Sequence, residues 1–271
     1  MLIRAIVPTC CFAVLCSTAF AEPPAENDFV CLIEARQTLD IRSGVEGLIE
    51  SVPVKRGDVV KKGMLLAKLS SAQELAALNL ARSRAGMTGE LKAAETRVDI
   101  TKKKWERAEE LVKKNFVSQN AKDEAESDYR LATEQLVAAR ENRTLAELEV
   151  KRAEEVLAQR SILSPVNGIV AEVKLGPGEL ASSNQKDPIM LVLEIDPLNV
   201  EVVLPVREFG RIKVGQSAVV TPDPPVGGRY NAKVTVVDAN LDATSGTFGV
   251  RLSLPNPANR IPAGARCHVH F

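Results

Sequence analysis

Aromatic residues are scarce in this chain of 271 residues: seven Phe, two Tyr and one Trp. Histidine is scarcer still, with only His268 and His270 near the C-terminal end, so no Ser-His-Asp or Cys-His constellation can be assembled. No glycine-rich phosphate loop precedes a helical stretch either, and the expectation is a chain without enzymatic activity or cofactor. Charge of one sign is also missing, since 35 Lys and Arg face 35 Asp and Glu. A surface without excess positive charge cannot neutralise phosphates or release counterions, which excludes nucleic acid as an expected partner. Beyond the N-terminus no run approaches the roughly 20 apolar residues of a membrane span.

The N-terminus has the parts of a secretory signal over residues 1–21. Arg4 supplies the charge, Ala5 to Leu15 the apolar stretch, and Ala19-Phe20-Ala21 the small-x-small cleavage site. A lipoprotein reading through Cys16 is disfavoured because Leu15 stands where a small residue is needed. Cys10, Cys11 and Cys16 leave with the signal, so Cys31 and Cys267 remain in an oxidising compartment. Both alternate with apolar neighbours on strand-like segments, and two readings stand open: a disulfide tying the ends together, or a pair of buried thiols. Arg266, His268 and His270 fall on the other face of the last strand. They are read as an exposed polar face, with a metal-binding role as the alternative.

Two stretches resemble each other. GLIESVPVKRGD, residues 47–58, recurs as GIVAEVKLGPGE, residues 168–179, with Gly47 to Gly57 matching Gly168 to Gly178 and an acid after each second glycine. Leu48, Val52 and Val54 match Ile169, Val173 and Leu175 in the period-two pattern of a half-buried strand. Half a small sheet buries little apolar surface by itself, so the two halves are expected to meet in space.

Between them, residues 71–160 contain no proline and only Gly86 and Gly89 as glycines. Two pairs of seven-residue columns follow: Leu80, Met87, Ala94, Thr101, Ala108 with Arg84, Leu91, Val98, Trp105, Val112, and Ala125, Ala132, Ala139, Ala146, Ala153 with Tyr129, Leu136, Arg143, Val150, Leu157. Sustained four-three spacing predicts a coiled coil. It lapses near residues 113–120, where Lys113 and Lys114 suit a helix C-terminus and Ser118 or Asn120 an N-cap. The prediction is an antiparallel helical hairpin with arms of some 60 Å. Lys102, Lys103 and Lys104 are read as a solvated face of it. After Asp196-Pro197, short alternating segments with turn signals predict a small β-barrel.

The glycine-strand repeat resembles the two halves of a lipoyl or biotinyl carrier domain. By that resemblance the modified lysine would fall at Gln73, whose amide cannot form the link, while Lys68 precedes the turn and is read as a solvated strand residue. A carrier subunit of an enzyme complex is therefore the disfavoured alternative. A lipoyl-like domain split by a helical hairpin resembles instead the periplasmic adaptors, or membrane fusion proteins (the HlyD-like family), of tripartite efflux pumps. The phrases IKVGQ, GVRLSLPNP and IPAGARCHV resemble the barrel domain of that family.

The resemblance implies a mixed α and β, elongated and modular chain. Its parts would be a signal peptide at 1–21, an N-terminal strand and first lipoyl-like half at 22–70, and a coiled-coil hairpin at 71–160. A second lipoyl-like half at 161–197 and a β-barrel at 198–271 would follow; the expectation of no C-terminal membrane-proximal domain departs from the pattern of many members of the family. It also implies that Arg107, Leu111 and Ser118, in RAEELVKKNFVS, contact an outer-membrane channel of the TolC type: Arg107 by charge-assisted hydrogen bonds, Leu111 as an apolar plug, Ser118 by its hydroxyl. The other partners implied are an inner-membrane transporter, of the resistance-nodulation-division type with the ATP-driven type as the alternative, and further copies of the chain in a trimer or hexamer. The expected location is the periplasm, peripheral to the inner membrane.

Overall fold

A computed structural model of the chain describes residues 28–182 and 187–271, so the expected signal segment lies outside the described residues. In chain order the strands before the helices are β1 (Phe29–Glu34), β2 (Gln37–Ile41), β3 (Gly47–Ser51), β4 (Val59–Val60) and β5 (Leu65–Leu69). Three helices follow, α1 (Ala72–Ala85), α2 (Gly89–Lys113) and α3 (Gln119–Ala158). Then come β6 (Ser161–Leu163), β7 (Gly168–Val173), β8 (Leu180–Ala181), β9 (Met190–Glu194), β10 (Leu198–Pro205), β11 (Ser217–Pro222), β12 (Tyr230–Val237), β13 (Thr247–Leu254) and β14 (Arg266–His270). The chain divides into two units, one holding β1 and Asn199–Pro255 with Gly264–Phe271, the other Ala35–Leu198 with Asn256–Ala263.

In the first unit β1, β10, β13, β12, β11 and β14 close into a six-stranded barrel. Alternation decides what fills it: Ile33, Val200, Val202, Leu204, Leu252 and Val269 point inward and are buried, while their chain neighbours face out. The barrel is not confined to residues 198–271, because β1 pairs with β10 on one side and β14 on the other and supplies the closing strand. Cys31 stands opposite Cys267 in the β1–β14 register, and their sulfurs are joined in a disulfide of 2.07 Å.

In the second unit two four-stranded sheets, β2-β9-β7-β4 and β6-β5-β3-β8, share one core. Ile49, Leu66 and Leu69 from one sheet meet Val60, Val170, Met190 and Val192 from the other. Each fully buried Leu or Ile of this kind stabilises by about 2 kcal/mol. Each sheet takes two strands from before the helices and two from after, with one pair flanking the other, so each half completes the other.

The repeated motif explains how. Gly57 and Gly178 both adopt left-handed backbone, φ +92° and +89°, a conformation only glycine takes without strain. The Gly57 N–H donates to the Val170 carbonyl at 2.8 Å, and the Gly178 N–H to the Ile49 carbonyl at 2.9 Å. Each turn is thus held by the strand of the other copy. The acid after each glycine closes its own turn, Asp58 accepting from the Lys55 N–H at 2.8 Å and Glu179 from the Gly176 N–H at 2.6 Å. The similarity begins four residues earlier than glycine spacing shows. Ser43 and Ser164 are both buried, and their hydroxyls donate to the carbonyls of Val45 and Val166.

Candidate functional site

The three helices form the insert, α1 and α2 running against α3 in antiparallel fashion. Arg82 pairs with Glu154 at 2.8 Å, Asn142 donates to Glu90 at 3.5 Å and Lys104 pairs with Asp128 at 2.9 Å, so rising numbers on one arm meet falling numbers on the other. The Asp128 carboxylate raises the Lys104 amine above its ordinary pKa, chiefly through their hydrogen bond. Trp105 stacks on Tyr129 with ring centroids 5.5 Å apart. Small residues let the arms approach: Ala125, Ala132 and Ala139 are buried at seven-residue spacing.

The expected columns hold from Leu91 onward and fail before it. Leu80 and Met87 are exposed and Arg84 faces solvent, whereas Leu78 and Ala81 are the buried residues of α1. The reason is a break over Gly86–Thr88, where the Met87 N–H bonds to Arg84 three residues back and α2 restarts from Thr88. Glycine is costly inside a helix, and the interruption shifts the facing register by one residue. Arg143 also leaves its column, lying exposed and paired with Glu147 at 3.0 Å.

At the root the insert is clasped by Arg160, just past the end of α3. Its guanidinium donates to the Glu74 carboxylate in the first turn of α1 at 2.6 Å and to the Glu46 carbonyl at 2.7 Å. The Arg160 carbonyl accepts from the Leu69 N–H at 2.8 Å, and Lys68 stands in register with Ser161. With side chains 21% and 12% exposed, Arg160 and Glu74 form the least exposed Lys or Arg ion pair among the described residues. Gly47 leaves the room: a Cβ there would stand 2.7 Å from the Arg160 Nη1.

At the tip, α2 stops at Lys113 and α3 begins after Ser118. Asn115 takes left-handed backbone at φ 56°, its N–H donating to the Val112 carbonyl at 2.9 Å, while the Phe116 N–H donates to the Leu111 carbonyl at 2.9 Å. These two bonds are a Schellman closure, which satisfies carbonyls a helix end leaves open. Of the two N-cap candidates the structure uses Ser118, whose hydroxyl accepts from the Ala121 N–H at 3.4 Å.

Arg107 and Leu111 lie one turn apart on α2, both exposed, with Arg107 Nε donating to the Lys103 carbonyl at 3.2 Å. Ser118 is separated from them by the turn and is also exposed. Sequence reasoning passed over Phe116, 74% exposed at the apex. The available signal was an aromatic residue placed where the heptads lapse.

The remaining candidates lie elsewhere. Gln73 is exposed in the first turn of α1, where an amide can carry no lipoyl or biotinyl link. Lys68 on β5 pairs with Glu50 at 3.0 Å. On the outer face of β14, His268 Nε2 approaches Asp223 at 3.5 Å and His270 Nδ1 approaches Asp28 at 3.6 Å. Among the described residues no group of three or more His, Cys, Asp or Glu could hold a metal ion, and no helix is long and apolar enough to cross a membrane. Lys102 and Lys103 pair with Glu106 and Asp99 along α2.

Residues 37–188 match the family of CzcB-like, barrel-sandwich hybrid domains, and residues 198–271 match that of CusB-like, beta-barrel domains. Among curated relatives, the chain is 30% identical over 233 residues to the multidrug resistance protein MdtE of Escherichia coli K12, covering 82% of this chain and 57% of MdtE. It is 23% identical to the multidrug efflux pump subunit AcrA of the same strain, covering 85% of this chain and 58% of AcrA. The chain thus spans a little over half the length of these relatives. Among solved structures, MacA from Actinobacillus actinomycetemcomitans superposes with a TM-score of 0.73 at 25% identity, over 90% of this chain and 78% of MacA.

Proposed function

The chain belongs to the membrane fusion protein family, the adaptor subunits of tripartite efflux pumps, and from that premise we propose that it is a non-enzymatic periplasmic adaptor. It bridges an inner-membrane exporter of the resistance-nodulation-division type to an outer-membrane channel of the TolC type, and the exporter supplies the energy. The observation that carries this reading is the hairpin: a long insert, clasped to the sandwich at one end, presents at the other a closed turn with exposed Arg107, Leu111 and Ser118. Arg107 is suited to hydrogen bonds with carbonyls or carboxylates of the channel's helix ends, Leu111 to an apolar contact between them. The Ser118 hydroxyl is already engaged as an N-cap and contributes mainly to turn shape.

Self-association, as a trimer or hexamer, is part of the same reading. Leu145 and Leu148 on α3 are more than half exposed and lie off the face it turns to α1 and α2. Such apolar side chains suit lateral packing of hairpins from neighbouring copies.

Arg107→Ala combined with Leu111→Asp is expected to abolish drug export in a strain dependent on this chain. Expression and helical circular dichroism should stay at wild-type levels, since both residues are exposed. Export at the wild-type rate from that double variant would overturn the docking assignment. Ser118→Ala should reduce export less and should also lower helix stability by about 1 kcal/mol.

A further inference from the structure

Among the described residues, no large apolar side chain is more exposed than Phe116. It is not on a loose loop. The Schellman bonds of Asn115 and Phe116 fix the backbone before the ring, and the Ser118 cap fixes it two residues after. A rigid backbone with an aromatic side chain of two torsions loses little freedom when the ring is buried by a partner, which is how anchor residues gain affinity cheaply.

Of the charged residues, lysines stand closest to the ring in the chain. From Leu111 to Lys122 the chain holds Lys113, Lys114 and Lys122 and no Asp or Glu. The first turn of α3 has no acidic residue of its own, and Asp123, one turn on, accepts from the Gln119 side chain at 2.9 Å. Glu109 and Glu110 lie one turn down α2, where they pair with Lys113 and Lys114 at 3.6 and 2.6 Å in solvent-screened positions. No carboxylate pairs with Arg107 among the described residues.

We propose that Phe116 is the apical anchor of the hairpin. It inserts into an apolar cleft between helix ends of the channel partner, and the rim of that cleft is acidic or lined by outward carbonyls that receive Lys113, Lys114 and Arg107. This rests on the docking reading above and adds a residue and a partner chemistry to it. A second copy meeting tip to tip would set lysine against lysine, which argues for a partner of opposite charge.

The test places a photo-crosslinking amino acid at Gln119 of the full-length chain in cells and measures the adduct with the channel. Phe116→Ala should lower the adduct about tenfold or more, Phe116→Trp should retain it, and Lys113→Glu with Lys114→Glu should lower it. Helical circular dichroism should be unchanged in all of them. A Phe116→Ala adduct within twofold of wild type, with Arg107→Ala and Leu111→Asp losing theirs, sinks the anchor and leaves the docking reading standing. An adduct that survives all of these substitutions, or never forms in the unsubstituted chain, removes both. Adducts between two copies of this chain, or Phe116-dependent binding to phosphatidylglycerol vesicles, would overturn the assignment in favour of self-docking or a lipid surface.

Discussion

The root and the tip of the helical insert hold the same chain by opposite means. At the root, a single guanidinium gathers a carboxylate from α1 and a carbonyl from the strand region, and the pair is mostly shielded from water. At the tip the bonds that fix the turn are all local, none reaching more than five residues, and the side chains they position point into solvent. Long-range, shielded contacts secure the insert to its platform. Short-range contacts fix a surface that stays free for something else.

The largest expected effect lies at the root. Arg160→Ala should destabilise the sandwich unit by about 2 kcal/mol in urea unfolding, because it leaves the partly buried Glu74 carboxylate and the Glu46 carbonyl without their donor. Gly47→Ala should move in the same direction, since its Cβ collides with the guanidinium. If both variants unfold at the wild-type urea concentration, the clasp contributes nothing and the contrast with the tip disappears.

A smaller effect is expected at Asn115. Alanine in the left-handed position should lower stability by about 1 kcal/mol and glycine should not, as judged by thermal unfolding followed at a helical wavelength. Equal behaviour of the two variants would mean that the turn is not closed through this residue.

The smallest effect concerns Lys104, midway along the arms. Its raised pKa means that its pairing with Asp128 stabilises fully below the ordinary lysine value of 10.5 and fades as pH rises through the higher folded value. Helicity should therefore fall slightly more steeply in strong alkali for the wild type than for Lys104→Met. Parallel titration curves would remove the bridge from the account.

What could be read in the sequence was what local constraint writes into it. The turn glycines Gly57 and Gly178 are forced by backbone geometry and stand ten residues after Gly47 and Gly168, so the repeat was visible; Ser43 and Ser164 belong to it but look like any serine until their burial is known. Heptads located α2 and α3, yet periodicity extrapolated through Gly86–Thr88 gave the wrong face of α1, because a short break resets the phase without erasing the pattern. Glu46, Glu74 and Arg160 lie far apart in the chain, and nothing local marks them as neighbours. Closure of the barrel by β1 was hidden for the same reason. At the tip, Arg107, Leu111 and Ser118 could be named by resemblance, whereas Phe116 emerged only with its exposure.

Because Leu69 and Arg160 are hydrogen-bonded neighbours, the two ends of the insert leave the sheet side by side. The platform therefore registers only where the insert begins and ends, not how far it extends. Removing or adding one heptad in each arm would change its reach by about 10 Å while every strand pairing stays as it is. Length is thus a variable that evolution or an engineer can tune without redesigning the fold that carries it.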